Sequence, residues 1–408
     1  MTRVVIVGGS LGAAKTAQGL RERGFDGDIV VLTEEHVLPY DRPPLSKAYL
    51  AGVSDVEDLL LLDADWYRDH DVEVRLGARA TGLDPERRVV LLEDDEVGYD
   101  ELVIATGSRP RRLPYGAGLA GVHELRSLAD ADRLRAAAAT AERAVVIGGG
   151  FVGFEVASTL SDRGPAVTVL EAAVAPLARI LDTRTASVLV EHARANGVTV
   201  RCGTGVADIV GDETDSVRAV VLADGTEIPA DLVVVGIGAQ PNVEWLEGSG
   251  LPVDAGGLHA DDTGRVAPGV WAVGDVSAWR NADGAAERHE HWTHAGDQAR
   301  AVAQNIAEGT DRIVAGVPYA WSDQFGLRIN IVGEPHLADE VRHLSAAPGD
   351  LVALHAINGT FVGACIVGQP RLTAQSRAWA GQRKHVDEIP PWTDAAAAAT
   401  SVIARSTA

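Results

Sequence analysis

Residues 144–171 read AVVIGGGFVGFEVASTLSDRGPAVTVLE, and the predicted fold is built outward from this stretch. The short run of apolar, mostly β-branched residues at 144–147 predicts a buried parallel strand. A helical segment follows the glycines as far as Arg163, and Gly164 is placed to end it. Residues 167–170 predict a second strand, with Glu171 at its carboxyl end. The stretch therefore predicts a strand–turn–helix–strand unit of an α/β protein.

Three glycines in the turn, Gly148, Gly150 and Gly153, match the pattern G-x-G-x-x-G. The first permits the tight turn, the second lets backbone N–H groups approach a pyrophosphate, and the third allows the helix to pack closely on the strand. The pyrophosphate would lie at the positive end of the helix dipole. Glycines in this order, between a strand and a helix, predict a dinucleotide site.

The acid at the end of the second strand indicates which dinucleotide binds. Glu171 can accept hydrogen bonds from both hydroxyls of an adenosine ribose. Its carboxylate would repel a 2′-phosphate, and Ala172 and Ala173 offer no arginine to hold one. The site is therefore predicted to take NAD(H) rather than NADP(H).

The amino-terminal residues repeat this pattern. A strand at 4–7, the turn GGSLGA at 8–13, a helix to Arg23 and a strand at 29–32 lead to Glu34. Ser10 replaces the second glycine and Ala13 the third, so the match is imperfect. Two such units in one chain predict two bound dinucleotides. Two unrelated α/β units are the alternative.

Length and composition limit the function classes. The chain has 408 residues, enough for roughly two to three domains. Its net charge of −22 argues against nucleic acid as a partner, and no apolar run is long enough for a membrane span. Because the first strand begins directly after Met1-Thr2-Arg3, we expect no signal peptide and a cytoplasmic location. Cys202 and Cys365 are the only cysteines, so no C-x-x-C redox pair is present.

The second half of the chain adds three further patterns. Residues 270–275, VWAVGD, predict a strand that ends in glycine and an acid. Residues 294–308 have apolar positions at helical spacing, and Gly309 lies beyond them. Alternating strands follow, of which 351–357 and 361–367 flank Asn358-Gly359 and predict a hairpin. The carboxyl-terminal part is therefore predicted to be β-rich.

Taken in order, these motifs resemble the NADH-dependent ferredoxin reductases of oxygenase systems, the family of putidaredoxin reductase and of the reductases of aromatic-ring dioxygenases. The resemblance covers nearly the whole chain. It rests on several motifs together: GGSLGA (8–13), YDRPPLSK (40–47), IATGSRPR (104–111), GGGFVG (148–153), VGIGAQPN (235–242), VWAVGD (270–275) and WSDQF (321–325).

The resemblance implies an α/β fold with two Rossmann-like dinucleotide-binding domains, one for FAD and one for NAD, and a C-terminal β-rich α+β domain. The implied FAD-binding domain is discontinuous and covers residues 1–113 and 240–315. An inserted NAD-binding domain covers 114–239, and a C-terminal interface domain covers 316–408.

The resemblance also assigns residues to the two cofactors. Glu34 is expected to bind the adenosine ribose of FAD, and Asp275 its ribityl or phosphate side, with a plain turn former as the alternative for Asp275. Trp292 and Trp321 are expected to flank the isoalloxazine, with simple interface packing as the alternative for both. The residues expected to contact FAD are Gly8, Gly12, Glu34, Arg42, Lys47, Ala80, Ala105, Thr106, Gly107, Arg126, Asp275, Trp292 and Trp321. Those expected to contact NAD are Gly148, Gly150, Phe151, Val152, Gly153, Glu155, Glu171 and Gly238.

Two residues are expected to act in the chemistry. Lys47 is one of only three lysines and lies in a proline-rich loop; the resemblance places it near flavin N5, paired with Glu155. The pair would stabilise negative charge as hydride arrives and orient the nicotinamide. A surface lysine and an ordinary helix glutamate are the alternatives, and core packing is the alternative for Phe151 and Val152.

A metal site is not predicted. His289, His291 and His294 lie close together in sequence, with Glu290 between them. Their spacing fits no metal-ligand motif, and histidines beside a cofactor-lined loop are the simpler interpretation.

The predicted function is that of an FAD-dependent NADH:ferredoxin reductase. It would take hydride from NADH onto FAD and pass single electrons to a 2Fe–2S ferredoxin, which supplies a cytochrome monooxygenase or a ring-hydroxylating dioxygenase. A monomer or weak dimer is expected. An NADH-binding flavoprotein that acts as an oxidase is one alternative, and a redox sensor or interaction protein is another. A disulfide reductase is disfavoured because no cysteine pair is expected near the flavin.

Overall fold

The computed structural model describes residues 1–281, 284–314, 316–389 and 399–402. The chain divides into two compact units, each discontinuous in sequence. The first unit comprises residues 1–42, 55–109 and 239–316, and the second comprises 43–54, 110–238 and 317–408. The predicted domain boundaries are a different, three-part division and remain a prediction.

The helices of the described residues are short to medium in length, and none of them is long and apolar enough to cross a membrane. In chain order they are α1 (Leu11–Glu22), α2 (Ala64–Asp69), α3 (Leu128–Ala138), α4 (Phe151–Ser161), α5 (Thr183–Ala195), α6 (Trp292–Glu308) and α7 (Pro370–Gly381). Single 3-10 turns cover Pro43–Ser46, Glu57–Leu59, Glu244–Leu246, Gly274–Val276, Pro335–Leu337 and Val386–Glu388.

The strands up to the middle of the chain are β1 (Arg3–Val7), β2 (Asp28–Leu32), β3 (Val72–Arg75), β4 (Gly82–Asp84), β5 (Val89–Leu91), β6 (Glu96–Gly98), β7 (Glu101–Ile104), β8 (Ser108–Pro110), β9 (Val122–His123), β10 (Arg143–Ile147), β11 (Ala166–Leu170), β12 (Thr199–Arg201), β13 (Val206–Gly211), β14 (Val217–Leu222), β15 (Glu227–Pro229) and β16 (Leu232–Val235). Those that follow are β17 (Ala239–Pro241), β18 (Val253–Asp254), β19 (Gly257–Ala260), β20 (Arg265–Ala267), β21 (Val270–Ala272), β22 (Ser277–Arg280), β23 (Ala286–Glu287), β24 (Tyr319–Gln324), β25 (Leu327–Gly333), β26 (Glu340–Ala347), β27 (Asp350–Ile357), β28 (Thr360–Val367) and β29 (Ala399–Val402).

A six-stranded sheet in the order β20-β21-β7-β1-β2-β3 forms the centre of the first unit. β1 runs parallel to both of its neighbours, and Val7 pairs with Leu32 and with Ile104. β1 and β2 are buried over four successive positions because both faces of the sheet are covered. The carboxyl ends of these parallel strands therefore meet at one edge, where the first glycine turn lies.

A five-stranded sheet in the order β12-β11-β10-β16-β9 has the same role in the second unit. Its central strand β10 is parallel to β11 and β16, and Ile147 pairs with Leu170 and Val235. Helix α4 packs on this sheet through Phe154 and other buried apolar residues. The second glycine turn therefore lies at the carboxyl edge of the sheet, beside the end of β11.

The second unit also contains an antiparallel sheet in the order β24-β25-β28-β27-β26-β29. Asn358 and Gly359 join β27 to β28 with φ angles of 50° and 74°, so both turn residues adopt the left-handed conformation of a type I′ hairpin. The predicted hairpin is confirmed. Two largely parallel sheets with helices, of which the first has the antiparallel edge strand β20, and a β-rich carboxyl-terminal part also confirm the predicted fold class.

Three predicted helix boundaries require correction. The helix predicted to reach Arg23 ends at Glu22, with Arg23 as its C-cap. The helix predicted from residue 294 begins at Trp292, and Gly309 ends it in the left-handed conformation, as predicted. The helix predicted to reach Arg163 ends at Ser161, because Gly164 turns the chain with a φ of 122° and β11 begins at Ala166.

Candidate functional site

The glycine turn of the second unit needs glycine at two positions for steric reasons. A Cβ on Gly153 would lie 2.1 Å from the carbonyl oxygen of Gly148, and one on Gly148 would lie 2.2 Å from that of Gly236. A Cβ on Gly150, in contrast, would meet no protein atom within 4 Å. Gly150 is the N-cap of α4, and no side chain caps this helix. The space before the first turn of α4 therefore fits a pyrophosphate held by backbone N–H groups.

Glu171 is held at the edge of the sheet by the backbone. Its Oε2 accepts a hydrogen bond from Gly149 N at 2.7 Å, and its Oε1 accepts one from Ala173 N at 2.7 Å. An ionised carboxylate can accept about four hydrogen bonds, so both oxygens retain capacity for ribose hydroxyls. The contact of Glu171 with a ribose remains a prediction.

In the glycine turn of the first unit, the side chain of Ser10 leaves the N-terminus of α1 accessible to a ligand. Ser10 is the N-cap residue of α1, but its side chain does not cap the helix. Its hydroxyl instead donates to the carbonyl oxygen of Tyr40 at 3.0 Å. Gly8 remains sterically necessary, since a Cβ there would lie 2.2 Å from the carbonyl oxygen of Ala105. The N-terminus of α1 therefore also fits a pyrophosphate.

Arg42 lies in a cluster with two residues that the sequence analysis missed, Glu35 and Tyr40. Arg42 Nη2 lies 2.7 Å from Glu35 Oε1, and the Tyr40 hydroxyl donates to Glu35 Oε2 at 2.6 Å. Burial alone would lower the pKa of Arg42, but Tyr40 and Glu35 together raise it. A cation fixed in this way suits a phosphate oxygen.

Three polar residues expected to contact FAD have partners that are distant in sequence. Ser108 donates to Asp275 Oδ2 at 2.9 Å, and Trp292 Nε1 donates to Asp41 Oδ1 at 2.6 Å. Glu34 is largely exposed, and Arg79 Nε lies 3.7 Å from its Oε2. Neither Ser108 nor Asp41 was predicted as a site residue, although each is next to a residue that was.

The other residues expected to contact FAD are divided between the two units. Gly12, Ala80, Ala105, Thr106 and Gly107 belong to the first unit together with Glu34, Arg42, Asp275 and Trp292, whereas Lys47, Arg126 and Trp321 belong to the second. In the first unit, Thr106 donates through Oγ1 to Asn242 O at 3.0 Å. In the second, the Trp321 ring stacks on Tyr319 with centroids 6.1 Å apart. Their shared contact with FAD remains a prediction.

The expected pair of Lys47 and Glu155 is present. Lys47 Nζ lies 2.9 Å from Glu155 Oε1, and the side chains are 21% and 6% exposed. Two hydroxyls that were not predicted also donate to this carboxylate, that of Ser46 at 2.6 Å and that of Ser322 at 2.7 Å. An open groove of about 600 Å³ along α4 has Lys47 in its wall. The arrangement is a buried carboxylate with three donors beside a partly accessible ammonium group.

The other residues expected to contact NAD lie around this pair and the glycine turn. Phe151 packs against the apolar cluster that contains Ile329 and Ile331, which is the core-packing alternative. Val152 is 47% exposed. Gly238 accepts a hydrogen bond from Arg111 N at 2.9 Å and has a φ of 101°. The contacts of these three residues with NAD remain predictions.

The histidines near the start of α6 form a compact group. The ring centroid of His289 lies 4.9 Å from that of His294 and 6.4 Å from that of His291. Burial, and then the neighbouring His289 and His291, lower the pKa of His294 to about 4, so His294 is neutral at pH 7. Within the described ranges, no three His, Cys, Asp or Glu residues are arranged to hold a metal ion.

Both cysteines are free thiols. Cys365 is completely buried in β28, and burial raises its pKa. Burial also raises the pKa of Cys202. Neither thiol is activated as a nucleophile, because the reactive form is the thiolate.

Two family models match the chain. The model for pyridine nucleotide-disulphide oxidoreductases matches residues 2–299, and the reductase C-terminal model matches residues 319–398. Among curated proteins, a ferredoxin–NAD(P)+ reductase of Sphingomonas sp is 39% identical over 336 residues, which cover 81% of this chain and 80% of that protein.

Two further similarities extend over almost the whole chain. The ferredoxin–NAD+ reductase component of the p-cumate 2,3-dioxygenase system of Pseudomonas putida is 33% identical over 399 residues, and the match covers 95% of each protein. Among solved structures, a chain of the covalent putidaredoxin reductase–putidaredoxin complex has a TM-score of 0.90 at 34% identity, with coverage of 94% of this chain and 93% of that chain.

Proposed function

We propose that this chain, which belongs to the pyridine nucleotide-disulphide oxidoreductase family, is an FAD-dependent NADH:ferredoxin reductase. It takes hydride from NADH and passes single electrons to a 2Fe–2S ferredoxin, which supplies a cytochrome monooxygenase or a ring-hydroxylating dioxygenase. Similarity to a ferredoxin–NAD(P)+ reductase and to a dioxygenase reductase component supports this function. Bound FAD would link the two steps, because a flavin can accept two electrons as hydride and release them one at a time.

The observation that carries the proposal is the buried ion pair directly behind the second glycine turn. Glu155 lies in the first two turns of α4, whose N-terminus begins at Gly150, and Lys47 Nζ is 2.9 Å away. In the proposal, the pair orients the nicotinamide of NADH and stabilises the charge that develops during hydride transfer. Glu171 holds the adenosine ribose of the same NADH.

The first unit binds FAD in this proposal. Backbone N–H groups at the start of α1 hold the pyrophosphate, and Arg42 neutralises its charge. Glu34 accepts from the adenosine ribose, and Asp275, held by Ser108, accepts from the ribityl hydroxyls. Trp292 lies beside the isoalloxazine, with its indole N–H fixed by Asp41.

The cysteines favour electron transfer over disulfide chemistry. A disulfide reductase needs two cysteines that can bond to each other, and this chain contains only a buried Cys365 and the distant Cys202. Electrons therefore leave to an external carrier. The exposed residues Arg371 and Arg377 of α7 suit an acidic ferredoxin in spite of the net charge of −22.

A cytoplasmic location and a monomer or weak dimer complete the proposal. NADH as the reductant supports the location. Sedimentation velocity at micromolar and higher concentration tests the oligomeric state, and a stable tetramer would contradict it.

Reduction of cytochrome c by NADH tests the function. With the purified holoenzyme, addition of a 2Fe–2S ferredoxin is expected to accelerate cytochrome c reduction strongly, because the ferredoxin carries single electrons between the two proteins. Ferredoxin with NADH but without this protein is the control. If NADH reduces the bound flavin and a panel of ferredoxins gives no acceleration, the ferredoxin reductase function is wrong and oxidase activity is measured next by oxygen uptake.

A further inference from the structure

Glu155 receives hydrogen-bond donors from two separate segments of the second unit. Ser46 donates to Oε2 at 2.6 Å from the same turn as Lys47, whose Nζ lies 2.9 Å from Oε1. Ser322 donates to Oε1 at 2.7 Å. The residue is 5% exposed, so water does not readily replace a donor that is lost. Each donor therefore contributes to fixing the carboxylate.

Ser322 belongs to the carboxyl-terminal sheet and is fully buried in β24. Alternate residues of a strand point to the same face, so Ser322 and Gln324 point the same way. Gln324 Nε2 donates to Ser322 Oγ at 3.1 Å, and the single hydroxyl proton of Ser322 is donated to Glu155. The two side chains form a chain of donors directed at the carboxylate, in which each bond polarises the next.

Two contacts fix the end of β24 against α4. Phe325 N donates to Ser158 Oγ at 2.7 Å, and the Phe325 ring packs edge-on against Phe154 with centroids 6.4 Å apart. Ser158 lies about one helical turn after Glu155. The strand is therefore held at the part of the helix from which Glu155 projects, and the short side chain of Ser322 has little freedom to move away.

We propose that Ser322 is a positioning residue for Glu155 and, through it, for Lys47. The hydroxyl holds Oε1 at the point where Lys47 Nζ also binds, so the carboxyl-terminal sheet sets the geometry of the pair. The inference rests on the proposed function, because it assumes that the pair acts on bound NADH. Without the hydroxyl, Glu155 loses a donor to Oε1 and can rotate away from Lys47.

The first test follows flavin reduction by NADH in the holoenzyme and its variants, by stopped-flow absorbance. Ser322→Ala is expected to lower the limiting rate about tenfold, the effect of losing one hydrogen bond to a charged group, with little change in the NADH concentration for half-saturation. Ser322→Thr keeps a hydroxyl and is expected to recover most of the rate. Ser376→Ala is the matched control, because Ser376 is fully buried in α7 and its hydroxyl has no hydrogen-bond partner among the described residues.

A double-mutant cycle separates action through Glu155 from a general structural role. If Ser322 acts through Glu155, adding Ser322→Ala to Glu155→Gln causes no further loss of rate. A further loss of about tenfold in the double variant would overturn the proposal. Thermal unfolding shows whether each variant is folded. If Ser322→Ala does not fold, Ser322→Cys, with a weak donor of similar size, replaces it with the same expected loss.

The chemical reactivity of Lys47 gives a measurement that does not depend on turnover. The chain has three lysines, so Lys15 and Lys384 serve as internal references when acetylation is followed by mass spectrometry. Ser322→Ala is expected to raise the acetylation rate of Lys47 severalfold relative to both references, because Glu155 no longer holds the ammonium group. Ser376→Ala is expected to leave the three relative rates unchanged.

The outcomes distinguish the two proposals. If NADH does not reduce the flavin of the wild-type holoenzyme, the proposed function is wrong. If NADH does reduce it, and Ser322→Ala matches the wild type in rate and in Lys47 reactivity, the proposed function stands and the positioning role of Ser322 is wrong.

Discussion

The glycine turns of the two units share a backbone plan but are packed differently. In the second unit, the third glycine, Gly153, lies so close to Gly148 that a Cβ would be 2.1 Å from the carbonyl oxygen. In the first unit the equivalent residue is Ala13, which is fully buried, so the helix leaves room for a methyl group. Glycine is therefore required at the third position of the pattern only where the helix approaches the turn too closely to leave room for a methyl group.

The acids that follow the second strand of each unit, Glu171 and Glu34, differ in how firmly the backbone holds their carboxylates. Glu171 directly follows β11, and both of its oxygens accept backbone N–H groups. Directly after β2 the first unit has Thr33, and Glu34 comes one residue later with a side chain that is 61% exposed. A substitution at Glu171 is therefore expected to have a more specific effect than one at Glu34.

The largest effect is expected for Gly153→Ala, which tests the packing difference directly. The new methyl group cannot fit beside Gly148, so the variant is expected to lose about 3 kcal/mol of stability and to lose NAD+ binding in calorimetry. The reverse change in the first unit, Ala13→Gly, is expected to cost only about 1 kcal/mol. Gly205→Ala is the control, because a Cβ there would lie 3.6 Å from that of Ala223. If Gly153→Ala behaves like this control, the close approach is unimportant.

Lys47→Ala is expected to have the next largest effect, on rate rather than on folding. In the proposed function Lys47 is a positioned charge beside the nicotinamide, so its removal is expected to slow flavin reduction by NADH about 100-fold, measured by stopped-flow absorbance. The corresponding pair of the first unit, Arg42 and Glu35, lies 2.7 Å apart, and Arg42→Ala is expected to weaken FAD retention instead. Lys15→Ala is the control for a lost lysine charge, because Lys15 is half-buried like Lys47. A wild-type rate in Lys47→Ala removes Lys47 from the site.

Glu171→Ala separates the roles of the two acids. The ratio of kcat/KM for NADH to that for NADPH is expected to fall about thirtyfold, which corresponds to about 2 kcal/mol of lost discrimination. Glu34→Ala is expected to leave this ratio unchanged and to release FAD more readily. Glu227→Ala, an exposed acid paired with Arg218 in the same unit as Glu171, is the control. An unchanged ratio in Glu171→Ala shows that another residue selects the dinucleotide.

Asp182→Asn tests the difference between helices whose N-termini have no side-chain cap and a helix that has one. No side chain caps α1 or α4, whereas Asp182 accepts from two backbone N–H groups at the start of α5. The same carboxylate is buried beside two histidines: His343 Nε2 lies 3.2 Å from Oδ1 and His355 Nε2 lies 3.5 Å from Oδ2. The variant is expected to lose about 2 kcal/mol of stability at pH 7, measured by denaturant unfolding. Asp208→Asn, at an exposed position of the same unit, is the control.

The pH dependence of Asp182 follows from its hydrogen bonds. Burial alone would raise its pKa, but His343, His355 and Thr185 together hold the pKa well below its usual range. A carboxyl whose pKa is lower in the folded state contributes stability above its unfolded pKa of about 3.9, and this contribution is lost as the pH falls below that value. The stability of Asp182→Asn is therefore expected to fall less steeply below pH 4 than that of the wild type. Parallel curves would contradict this account.

The smallest effect is expected for His294→Gln in the first unit. The pKa of His294 is lowered to about 4 from about 6.5 in the unfolded chain. Because the unfolded state binds the proton first, stability falls as the pH is lowered from about 6.5 to 4. The side chain is partly exposed, which limits this contribution to about 1 kcal/mol. Between about pH 6.5 and pH 4, the variant is therefore expected to lose about 1 kcal/mol less stability than the wild type, measured by denaturant unfolding. An unchanged slope would show that His294 does not titrate as described.

Features that depend on short-range backbone geometry were predictable from the sequence. The Asn358-Gly359 hairpin and the end of α6 at Gly309 follow from residues that tolerate positive φ angles. The glycine turns follow from the needs of a parallel strand that leads into a helix, and the acid after β11 is visible in the sequence because it directly follows a predicted strand. The pairing of Lys47 with Glu155 was expected only through the resemblance, since the two residues are far apart in the chain.

Hydrogen bonds between distant segments could not be derived in this way. Ser322, Ser46 and Tyr40 are ordinary serine and tyrosine residues in the sequence, and nothing in their neighbours indicates which carboxylate they bind. The same holds for the buried contact of Asp182 with His343. Each of these contacts depends on the register of a strand or the approach of a sheet to a helix, which many residues set together.

The amino-acid sequence by itself determined the two α/β units, their glycine turns, the acid at the end of β11 and the lack of a C-x-x-C pair. These properties follow from local conformational preferences and from residue chemistry. Only the tertiary structure decided that Ser10 turns to Tyr40, and that Glu155 is held by a serine from the carboxyl-terminal sheet. The physical reason is that a short hydroxyl side chain acts only within about 3 Å, so its partner is known only when packing has brought the segments together.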